Sequence, residues 1–439
     1  MDAFVIHGGN RLRGRQRIHG AKNAALPQMA AALLTDEPVV LKDVSDLADV
    51  RNMGRLLTAL GCQVSIEPEG PNWSVNLHVT DRSPVEAHYD VMRTMRASFC
   101  VLGPLLASRG RARVSMPGGC NIGDRPVDLH LRGLHALGAQ IKLEGGYIIA
   151  EADRLRGGRI FLGGPFGTTV LGTANVMCAA TRANGVTVIE SAACEPEVTD
   201  LADLLNKMGA RIEGAGSPRI TIEGVDRLHG AEHTIIPDRI EAATYIMAAA
   251  ITNGDVVLDN CPIDALGAVL DRLAEIGVEV ESVDGQSGHN AADQMRQTVR
   301  IASNRRLNPV QVVTQPHPGF PTDLQAQIMA LLCLADGNSV ITEKIFPDRF
   351  LHVAELLRMG AQLVRNGPTV LVAGIRHLSG APVMASDLRA SAGLVLAGLA
   401  AQGTTIVDRV YHLDRGYEKM ETVLQQLGAD IERVDADAL

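Results

Sequence analysis

The chain contains 439 residues, which is enough for two or more domains that each bury a hydrophobic core. Hydrophobic residues make up 46% of it but aromatic residues only 3%, so the core must consist mainly of small and aliphatic side chains. The formal net charge is −9, and no basic run indicates a nucleic-acid-binding protein.

The N-terminal residues MDAFV lack the basic and apolar stretches of a secretory signal, and the longest apolar run, at 390–401, is too short to cross a bilayer. The seven cysteines are irregularly spaced without a Cys-x-x-Cys pair, which fits free thiols in a reducing cytoplasm. There is no zinc-ligand spacing, phosphate-binding P-loop or dinucleotide fingerprint. We therefore predict a cytoplasmic protein that uses no metal or cofactor.

A short helix-ending motif recurs six times along the chain. Each copy has an apolar residue, a glycine and then a short strand-like stretch, which predicts a helix closed by a C′ glycine and followed by a strand. The glycines are Gly61, Gly138, Gly209, Gly277, Gly360 and Gly428. Their spacing indicates a repeat of roughly 70 residues, longer than most solenoid repeats. We predict an α/β fold of six repeats, arranged as two lobes of three.

Each repeat is predicted to contain a hairpin, a helix, a strand, a second helix and a second strand. The first helix is Ala-rich and usually ends at a glycine that precedes a β-branched strand. These glycines are Gly110, Gly185, Gly254, Gly337 and Gly403. The predicted hairpins lie at 4–14, 220–230 and 370–380, where an alternating strand leads to a leucine and a glycine.

The first Ala-rich helix begins in the segment GAKNAALP at 20–27. Proline is tolerated only in the first helical turn, so we place Lys22 and Asn23 at the helix N-terminus. Free N–H groups and the positive dipole end make this a suitable place for an anion. A lysine opposes the dipole there, which favours a functional lysine over a solvated one. The second helix is predicted to carry Arg93 and Arg96 on one face.

A glycine-rich stretch, PGGCNIGDRPVDLH, occupies 117–130. It places Cys120 near Arg125, and a nearby guanidinium favours the thiolate, so this cysteine is a candidate nucleophile or proton donor. Glycines let a backbone approach a ligand closely and let a loop hinge. The alternative is a glycine-rich turn with an incidental cysteine.

Two later helices begin with a carboxylate, Asp323 in PTDLQ and Asp387 in SDLR. Aspartate is a favoured N-cap or first-turn residue, and for each of them local sequence favours that structural role. Arg349 and Arg415 follow repeat strands. If the helices of both lobes direct their N-termini at one cleft, that cleft becomes an anion site with acid and base groups. It would collect Lys22, Arg96, Arg389, Arg415 and the two carboxylates.

Six motifs, in order along the whole chain, resemble the UDP-N-acetylglucosamine 1-carboxyvinyltransferase family of enolpyruvyl transferases. They are GAKNAA at 20–25, TMRAS at 94–98, the stretch 117–130, PTD at 321–323, DLRAS at 387–391 and DRGYE at 414–418. The resemblance implies a two-lobed, inside-out α/β barrel with three repeats in each lobe. Residues 1–21 and 237–439 would form one lobe, and residues 22–236 the other, which carries the Cys120 loop.

The resemblance also implies the reaction and its residues. The family transfers the enolpyruvyl group of phosphoenolpyruvate to a sugar hydroxyl of UDP-N-acetylglucosamine and releases phosphate, the first committed step of peptidoglycan precursor synthesis. Cys120 would donate a proton and react with the epoxide antibiotic fosfomycin, while Asp323 would act as the base. Lys22 and Arg415 would also be catalytic. The implied contacts of phosphoenolpyruvate are Lys22, Asn23, Arg125, Arg389 and Arg415.

The implied contacts of the sugar nucleotide extend further along the chain. They are Arg96, Arg125, Pro126, Val127, Asp128, Leu129, Thr168, Thr169, Val170, Asp323 and Ile345. The family commonly has a lysine against the nucleotide phosphates, but the corresponding stretch here, FGTTVLGTAN at 166–175, contains none. Thr168, Thr169 and backbone N–H groups remain as candidates for this contact.

Two other functions remain open at this point. A sister enolpyruvyl transferase could use another nucleotide or shikimate 3-phosphate as the acceptor, although the shikimate enzyme lacks the PGGC loop. A catalytically silent relative could bind only a sugar nucleotide, which the joint presence of Lys22, Cys120, Asp323 and Arg415 disfavours. The predicted partners are small-molecule substrates, with no nucleic acid, membrane or obligate protein partner.

Overall fold

The computed structural model describes residues 2–70, 72–116, 126–283, 295–303 and 307–436. Within these residues the named strands form six four-stranded sheets that share one arrangement. An edge strand pairs in parallel with a second strand, as Gln311–Val313 does with Asn338–Thr342. The second strand pairs antiparallel with a third and the third antiparallel with a fourth, here Thr369–Ala373 and Gln362–Asn366.

The other five sheets follow the same order from the parallel edge strand to the fourth strand. They are Ala231–Thr234, Val39–Val44, Asn72–Val79 and Cys62–Glu69; Glu86–Ala87, Arg111–Ser115, Tyr147–Glu151 and Gln140–Glu144; Arg159–Phe161, Val186–Glu190, Arg219–Glu223 and Arg211–Glu213; Arg13–Arg17, Asp255–Cys261, Gln297–Ala302 and Glu279–Ser282; and Pro382–Met384, Thr404–Asp408, Asp2–His7 and Asp430–Asp435.

The described residues divide into two compact units. The terminal unit joins the segment that ends at His19 to the segment that begins at Pro237, and the middle unit contains the described residues between Gly20 and Ile236. The N-terminal segment belongs with the distant C-terminal segment because Asp2–His7 pairs with both Thr404–Asp408 and Asp430–Asp435. Three of the six sheets lie in each unit, so the predicted α/β class with six repeats is confirmed. Whether the predicted lobe boundaries mark functional domains stays a prediction.

Six central helices, rich in small and aliphatic residues, form the centres of the two units and are mostly buried. In the middle unit they are Lys22–Ala31, Leu102–Arg109 and Val170–Ala180, and in the terminal unit Arg239–Ile251, Gln325–Leu332 and Leu388–Ala400. Alanine lets helices pack closely, and burial on all sides is expected for a helix that is apolar all round. Each unit has its own continuous hydrophobic core around these helices.

Six further helices are amphipathic and bury one face each. They are Ala48–Ala59, Asp128–Ala136, Pro196–Lys207, Gly267–Ile276, Leu351–Arg358 and Met420–Gln426. The remaining helical segments are short: Tyr89–Met92, Ala32–Leu34, Arg96–Val101, Ile263–Leu266, Thr322–Leu324 and Val410–Arg415. No helix in the described ranges has both the length and the apolar character that a membrane crossing requires.

The six predicted C′ glycines all adopt the left-handed backbone conformation, with φ between 81° and 98°. Only glycine enters this region without steric cost, so the helix-ending prediction is confirmed at every repeat. The second glycine marker is confirmed less uniformly. Gly110, Gly185, Gly337 and Gly403 have positive φ, whereas in the fourth copy Asn253 takes that conformation in place of Gly254.

The predicted hairpins are wrong. Arg219–Glu223 and the following strand, Ala231–Thr234, lie in two different sheets, and the same is true of Asp2–His7 and Arg13–Arg17. These segments are connections from one sheet to the next, because each strand finds its antiparallel partner on the N-terminal side or far along the chain. Actual hairpins join the third and fourth strands of a sheet, as at Cys62–Glu69 and Asn72–Val79.

Candidate active site

Asp323 is the centre of an ion-pair cluster in the terminal unit. It lies in the Thr322–Leu324 turn that opens the central helix Gln325–Leu332. One carboxylate oxygen, Oδ1, lies 2.8 Å from Nη1 of Arg349, and the other, Oδ2, lies 3.4 Å from Nη2 of Arg389. Both arginine side chains are over 90% buried, whereas 29% of the Asp323 side chain remains exposed. The cluster therefore presents one accessible carboxylate on two buried cations.

These contacts decide the protonation of Asp323. Burial by itself raises the pKa of this carboxyl, but the guanidinium groups of Arg389 and Arg349 outweigh it and hold the pKa well below its usual range. Efficient general bases have a pKa nearer the working pH. As arranged here, Asp323 is firmly ionised and weakly basic, so a change in its arginine contacts would be needed to make it a stronger base.

A buried tyrosine extends the cluster. Nη1 of Arg389 donates a hydrogen bond to the Tyr417 hydroxyl at 3.3 Å, and that hydroxyl lies 2.9 Å from Oγ1 of Thr244. Nε2 of Gln327 donates to the same tyrosine at 3.3 Å and to the backbone oxygen of Asp323 at 3.0 Å. Arg389 is thus held by Tyr417 through Nη1 and by Asp323 through Nη2, which sequence reasoning did not foresee.

The two predicted helix-start carboxylates have different roles. Asp387 is an N-cap, because its Oδ1 accepts hydrogen bonds from the backbone N–H groups of Arg389 and Ala390 at 3.0 and 3.2 Å. Asp323 lies in the first turn, but Pro321 is the cap residue and the Asp323 side chain makes no cap hydrogen bond. The carboxylate of Asp323 is thus committed to arginines rather than to the helix end.

Two more predicted residues lie in the terminal unit. Arg415 ends the turn Val410–Arg415 and is half-buried. The next residue is Gly416, where an added Cβ would lie 2.5 Å from the Leu388 side chain, so a larger residue would displace that leucine. Ile345 is also half-buried, and its N–H donates a hydrogen bond to the Glu343 carboxylate at 2.8 Å.

In the middle unit, Lys22 forms a buried ion pair with Asp49. Nζ of Lys22 lies 2.9 Å from Oδ2 of Asp49, and the two side chains are 9% and 3% exposed. Lys22 is the first residue of its helix, and Asn23 follows it half-buried, so their predicted position is confirmed. The reasoning from Pro27 was wrong, because this proline lies in the second turn. Asp49 was missed, although an acid in a first helical turn is a recognisable signal.

Arg96 contacts the stretch that carries several predicted nucleotide residues. Its Nη2 lies 3.5 Å from the backbone oxygen of Pro126, at the distance limit of a hydrogen bond. Pro126 is exposed, Val127 is buried, and Asp128 begins the helix Asp128–Ala136 with Leu129 half-buried behind it. The predicted shared face of Arg93 and Arg96 is wrong, because Arg93 follows the short helix Tyr89–Met92 and Arg96 begins a separate turn.

The predicted phosphate-contact segment starts the central helix Val170–Ala180. Oγ1 of Thr169 accepts a hydrogen bond from the N–H of Gly172 at 3.2 Å, so Thr169 is the N-cap of this helix. Thr168, Thr169 and Val170 are all half-buried. Thr169 Oγ1 thus acts as an acceptor at the helix start, its O–H hydrogen can still donate, and the positive end of the helix dipole lies beside it.

Cys120 and Arg125 lie outside the described residues. Of the other cysteines, Cys62, Cys100, Cys178, Cys261 and Cys333 are buried. Cys194 is half-buried between a strand and a helix. Burial raises the pKa of all six thiols, to about 12 for Cys100, Cys261 and Cys333.

The structure thus brings predicted residues together in separate groups. The terminal unit joins Asp323 to Arg389, and the middle unit brings Arg96 to the 126–129 stretch. Convergence of these groups on one ligand stays a prediction.

Comparison with known proteins agrees with the resemblance drawn from the motifs. A family model described as EPSP synthase (3-phosphoshikimate 1-carboxyvinyltransferase) matches residues 6–432. A protein of Anaeromyxobacter sp. (strain Fw109-5) named UDP-N-acetylglucosamine 1-carboxyvinyltransferase is 52% identical over 99% of this chain and 100% of its own length. One of the same name from Myxococcus xanthus (strain DK1622) is 51% identical over the same shares.

Solved structures have the same fold. The enolpyruvyl transferase NikO from Streptomyces tendae matches with a TM-score of 0.87 and 27% identity over 99% of both chains. An EPSP synthase from Acinetobacter baumannii matches with a TM-score of 0.75 and 20% identity over 99% of this chain and 100% of its own. The chain therefore belongs to the EPSP synthase family of carboxyvinyl (enolpyruvyl) transferases, and it is a transferase enzyme.

Proposed function

We propose that the protein transfers the enolpyruvyl group of phosphoenolpyruvate to a sugar hydroxyl of UDP-N-acetylglucosamine and releases phosphate. The observation that supports UDP-N-acetylglucosamine as the acceptor is the 50–53% identity, along nearly the whole chain, with proteins named for this reaction. The shikimate-type structures share only 20% identity, so their likeness concerns the fold. The reaction would take place in the cytoplasm, as the first committed step of peptidoglycan precursor synthesis.

The reaction needs an acid and a base. The methylene carbon of phosphoenolpyruvate gains a proton, which we assign to the thiol of Cys120, and the sugar hydroxyl loses a proton, which we assign to Asp323. Phosphoenolpyruvate carries a phosphate and a carboxylate, so it requires several cations. We assign this binding to Lys22, Asn23, Arg125, Arg389 and Arg415.

The Asp323 cluster suggests how substrate binding prepares the base. In the described arrangement Arg349 and Arg389 suppress the basicity of Asp323. If an anionic group of phosphoenolpyruvate takes over the contact with Arg389, the positive field on Asp323 weakens and its pKa rises. The base would thus gain strength when the second substrate is bound. This coupling would limit proton abstraction in the absence of phosphoenolpyruvate.

The sugar nucleotide would contact residues on several segments. We assign it to Arg96, the stretch 125–129, the helix start at 168–170, Asp323 and Ile345. With no lysine in the 166–175 stretch, the dipole of the helix Val170–Ala180 is the available positive end for a phosphate.

A phosphate-release assay tests the proposal. The purified enzyme should release phosphate from phosphoenolpyruvate when UDP-N-acetylglucosamine is present, and it should not do so with shikimate 3-phosphate. Activity with shikimate 3-phosphate alone would favour the sister enzyme instead. Binding of the sugar nucleotide without phosphate release from any acceptor would favour a silent relative.

A further inference from the structure

Glu343 is a fully buried carboxylate that lies beside the Asp323 cluster. It follows the strand Asn338–Thr342, and none of its surface is exposed. Oε1 accepts hydrogen bonds from Thr314 Oγ1 at 2.7 Å and from the N–H groups of Ile345 and Phe346 at 2.8 and 3.0 Å. Oε2 accepts one from Thr322 Oγ1 at 2.9 Å. One side chain thus ties together three segments of the chain.

The directions of these hydrogen bonds fit an ionised carboxylate. The two backbone N–H groups can only donate. The Thr314 hydroxyl receives the N–H of Lys344 at 2.9 Å, so its own hydrogen is free to point at Glu343. The Thr322 hydroxyl likewise receives Nη1 of Arg349 at 3.1 Å and directs its hydrogen to Glu343. All four partners therefore act as donors to Glu343.

The direct contacts of this carboxylate in the described residues are hydrogen bonds. In the described part of the chain Glu343 makes no ion pair, in contrast to Asp323 with its two arginines. A buried charge without a cation costs free energy unless its hydrogen bonds are complete. A neutral residue at this place would avoid that cost. The presence of a carboxylate here is therefore explained better by the groups that Glu343 holds in place than by packing.

Glu343 reaches the candidate base through one intermediate residue. Thr322 precedes Asp323 in the chain, and Nη1 of Arg349 contacts both the Thr322 hydroxyl and the Asp323 carboxylate, at 3.1 and 2.8 Å. Because Glu343 accepts the Thr322 hydrogen, the lone pairs of this hydroxyl face Arg349. We propose that Glu343 is a positioning residue that holds Arg349 on Asp323 through Thr322 and fixes the backbone of Ile345.

The inference rests on the proposed function, in which Asp323 is the base and Ile345 a nucleotide contact. Glutamine cannot replace Glu343 without a conflict. If its amide nitrogen faces Thr322, the hydroxyl hydrogen loses its acceptor. If the nitrogen faces Ile345 and Phe346, the amide N–H groups of glutamine point at two backbone N–H donors, and neither side can accept. Either orientation should loosen Arg349 or the backbone turn.

The test compares Glu343→Gln, Thr322→Val and Thr322→Ser in the phosphate-release assay. We expect kcat to fall about 10- to 100-fold in the first two variants, because displacement of the Asp323 carboxylate outweighs the gain in basicity that follows when Arg349 moves away, and small displacements of reacting groups have effects of that order. KM for phosphoenolpyruvate should stay within about twofold of the wild-type value in both variants, and KM for the sugar nucleotide should rise only in Glu343→Gln, which also loosens the backbone of Ile345. Thr322→Ser keeps the hydroxyl and should restore the wild-type rate. The double variant Glu343→Gln/Thr322→Val should lose no more than the worse single variant.

Ser339→Ala is the matched control. Ser339 is buried on the same strand, and its Oγ accepts the N–H of Val310 at 3.2 Å without any link to Asp323. It should lower Tm but leave kcat unchanged. Crystal structures of Glu343→Gln and Thr322→Val should show Arg349 Nη1 moved beyond about 4 Å from Asp323 Oδ1, the limit of an ion pair.

Two results would overturn the inference: an unchanged kcat with Arg349 still on Asp323 in Glu343→Gln, or an equal loss of kcat in Ser339→Ala. If Glu343→Gln does not fold, the half-exposed Thr322 variants carry the test. A wild-type enzyme without activity on UDP-N-acetylglucosamine would contradict the proposed function. The crystallographic comparison would still decide the role of Glu343.

Discussion

Asp323 accepts a hydrogen bond from Arg349, with 2.8 Å between Oδ1 and Nη1, and the guanidinium lies almost entirely inside the protein. A carboxylate in this position is ionised at any physiological pH, which suits the proposed role of Asp323 as proton acceptor. The same contact makes it a weak base. Under the proposed function, the balance between these two effects would depend on which anions the neighbouring arginines bind.

The first prediction concerns Asp323→Asn. Turnover should fall by about 10²–10⁴-fold because the amide cannot accept the proton. Tm should also fall, since two buried guanidinium groups lose their shared anion. Phosphate release and thermal unfolding measure both effects. Asp348→Asn is the control, because that exposed carboxylate pairs with Arg365 in the strand Gln362–Asn366 and its loss should leave turnover unchanged. Full turnover in Asp323→Asn would show that Asp323 is not the base.

The second prediction concerns the buried pair of Lys22 and Asp49. Asp49→Asn should lower the free energy of unfolding by about 3 kcal/mol, because removal of one partner leaves a charge poorly compensated. Lys22→Met combined with Asp49→Asn should lose less than the sum of the single changes. Urea unfolding measures these values.

An exposed ion pair provides the control for this comparison. Nζ of Lys42 lies 2.7 Å from Glu232, whose side chain is largely exposed. Glu232→Gln should change the free energy of unfolding by less than about 1 kcal/mol. Additive losses in the Lys22 and Asp49 variants would mean that the two residues stabilise the protein independently.

The third prediction concerns thiol reactivity. We expect fosfomycin to add to Cys120 alone, because burial raises the pKa of the other six thiols and so keeps them protonated. Mass spectrometry of digested protein locates the adduct. Cys120→Asp should keep turnover as a proton donor and resist the drug, whereas Cys120→Ala should lose most turnover.

Cys194 is the internal reference for this labelling, since it is the half-buried member of the six. An adduct on Cys194 in place of Cys120 would show that exposure alone directs the reaction. Inactivation of Cys120→Asp by fosfomycin would contradict the assignment of the thiol as the target.

The fourth prediction concerns the pH dependence of stability. Burial lowers the pKa of His19, but Glu241, 2.8 Å from Nδ1, outweighs it, and the pKa is raised to about 9. Protonated His19 therefore stabilises the fold fully below about pH 6.5, the pKa of histidine in the unfolded chain. This contribution is lost as the pH rises towards 9. The difference in unfolding free energy between wild type and His19→Gln should be about 3 kcal/mol larger at pH 6 than at pH 9.5.

His352→Gln is the control for this pH series. Burial lowers the pKa of His352 to about 4, so the ring is neutral throughout the range. The difference between its stability and that of the wild type should therefore not change from pH 6 to pH 9.5. A His19→Gln difference that is equally flat would show that the pair with Glu241 carries no net charge effect.

The local signals in the sequence predicted the repeat correctly. A C′ glycine needs a left-handed backbone whatever surrounds it, so the six glycines from Gly61 to Gly428 could be found without knowledge of the fold. Lys22 was placed correctly at the start of its helix for a reason that failed, since Pro27 lies one turn later than assumed. The predicted hairpins failed because alternation and a glycine indicate a strand and a turn, but not the sheet that the next strand joins.

The partners of the site residues were decided by the tertiary structure. Arg389 reaches Asp323 from 66 positions away along the chain, and Lys22 reaches Asp49 across 27. Such pairs depend on which central helices lie side by side and on which segments end next to each other. Local residue patterns do not show which distant segments become neighbours in the folded chain. Glu343 was invisible for the same reason, because a glutamate after a strand is expected in solvent, and only the folded chain surrounds it with four donors.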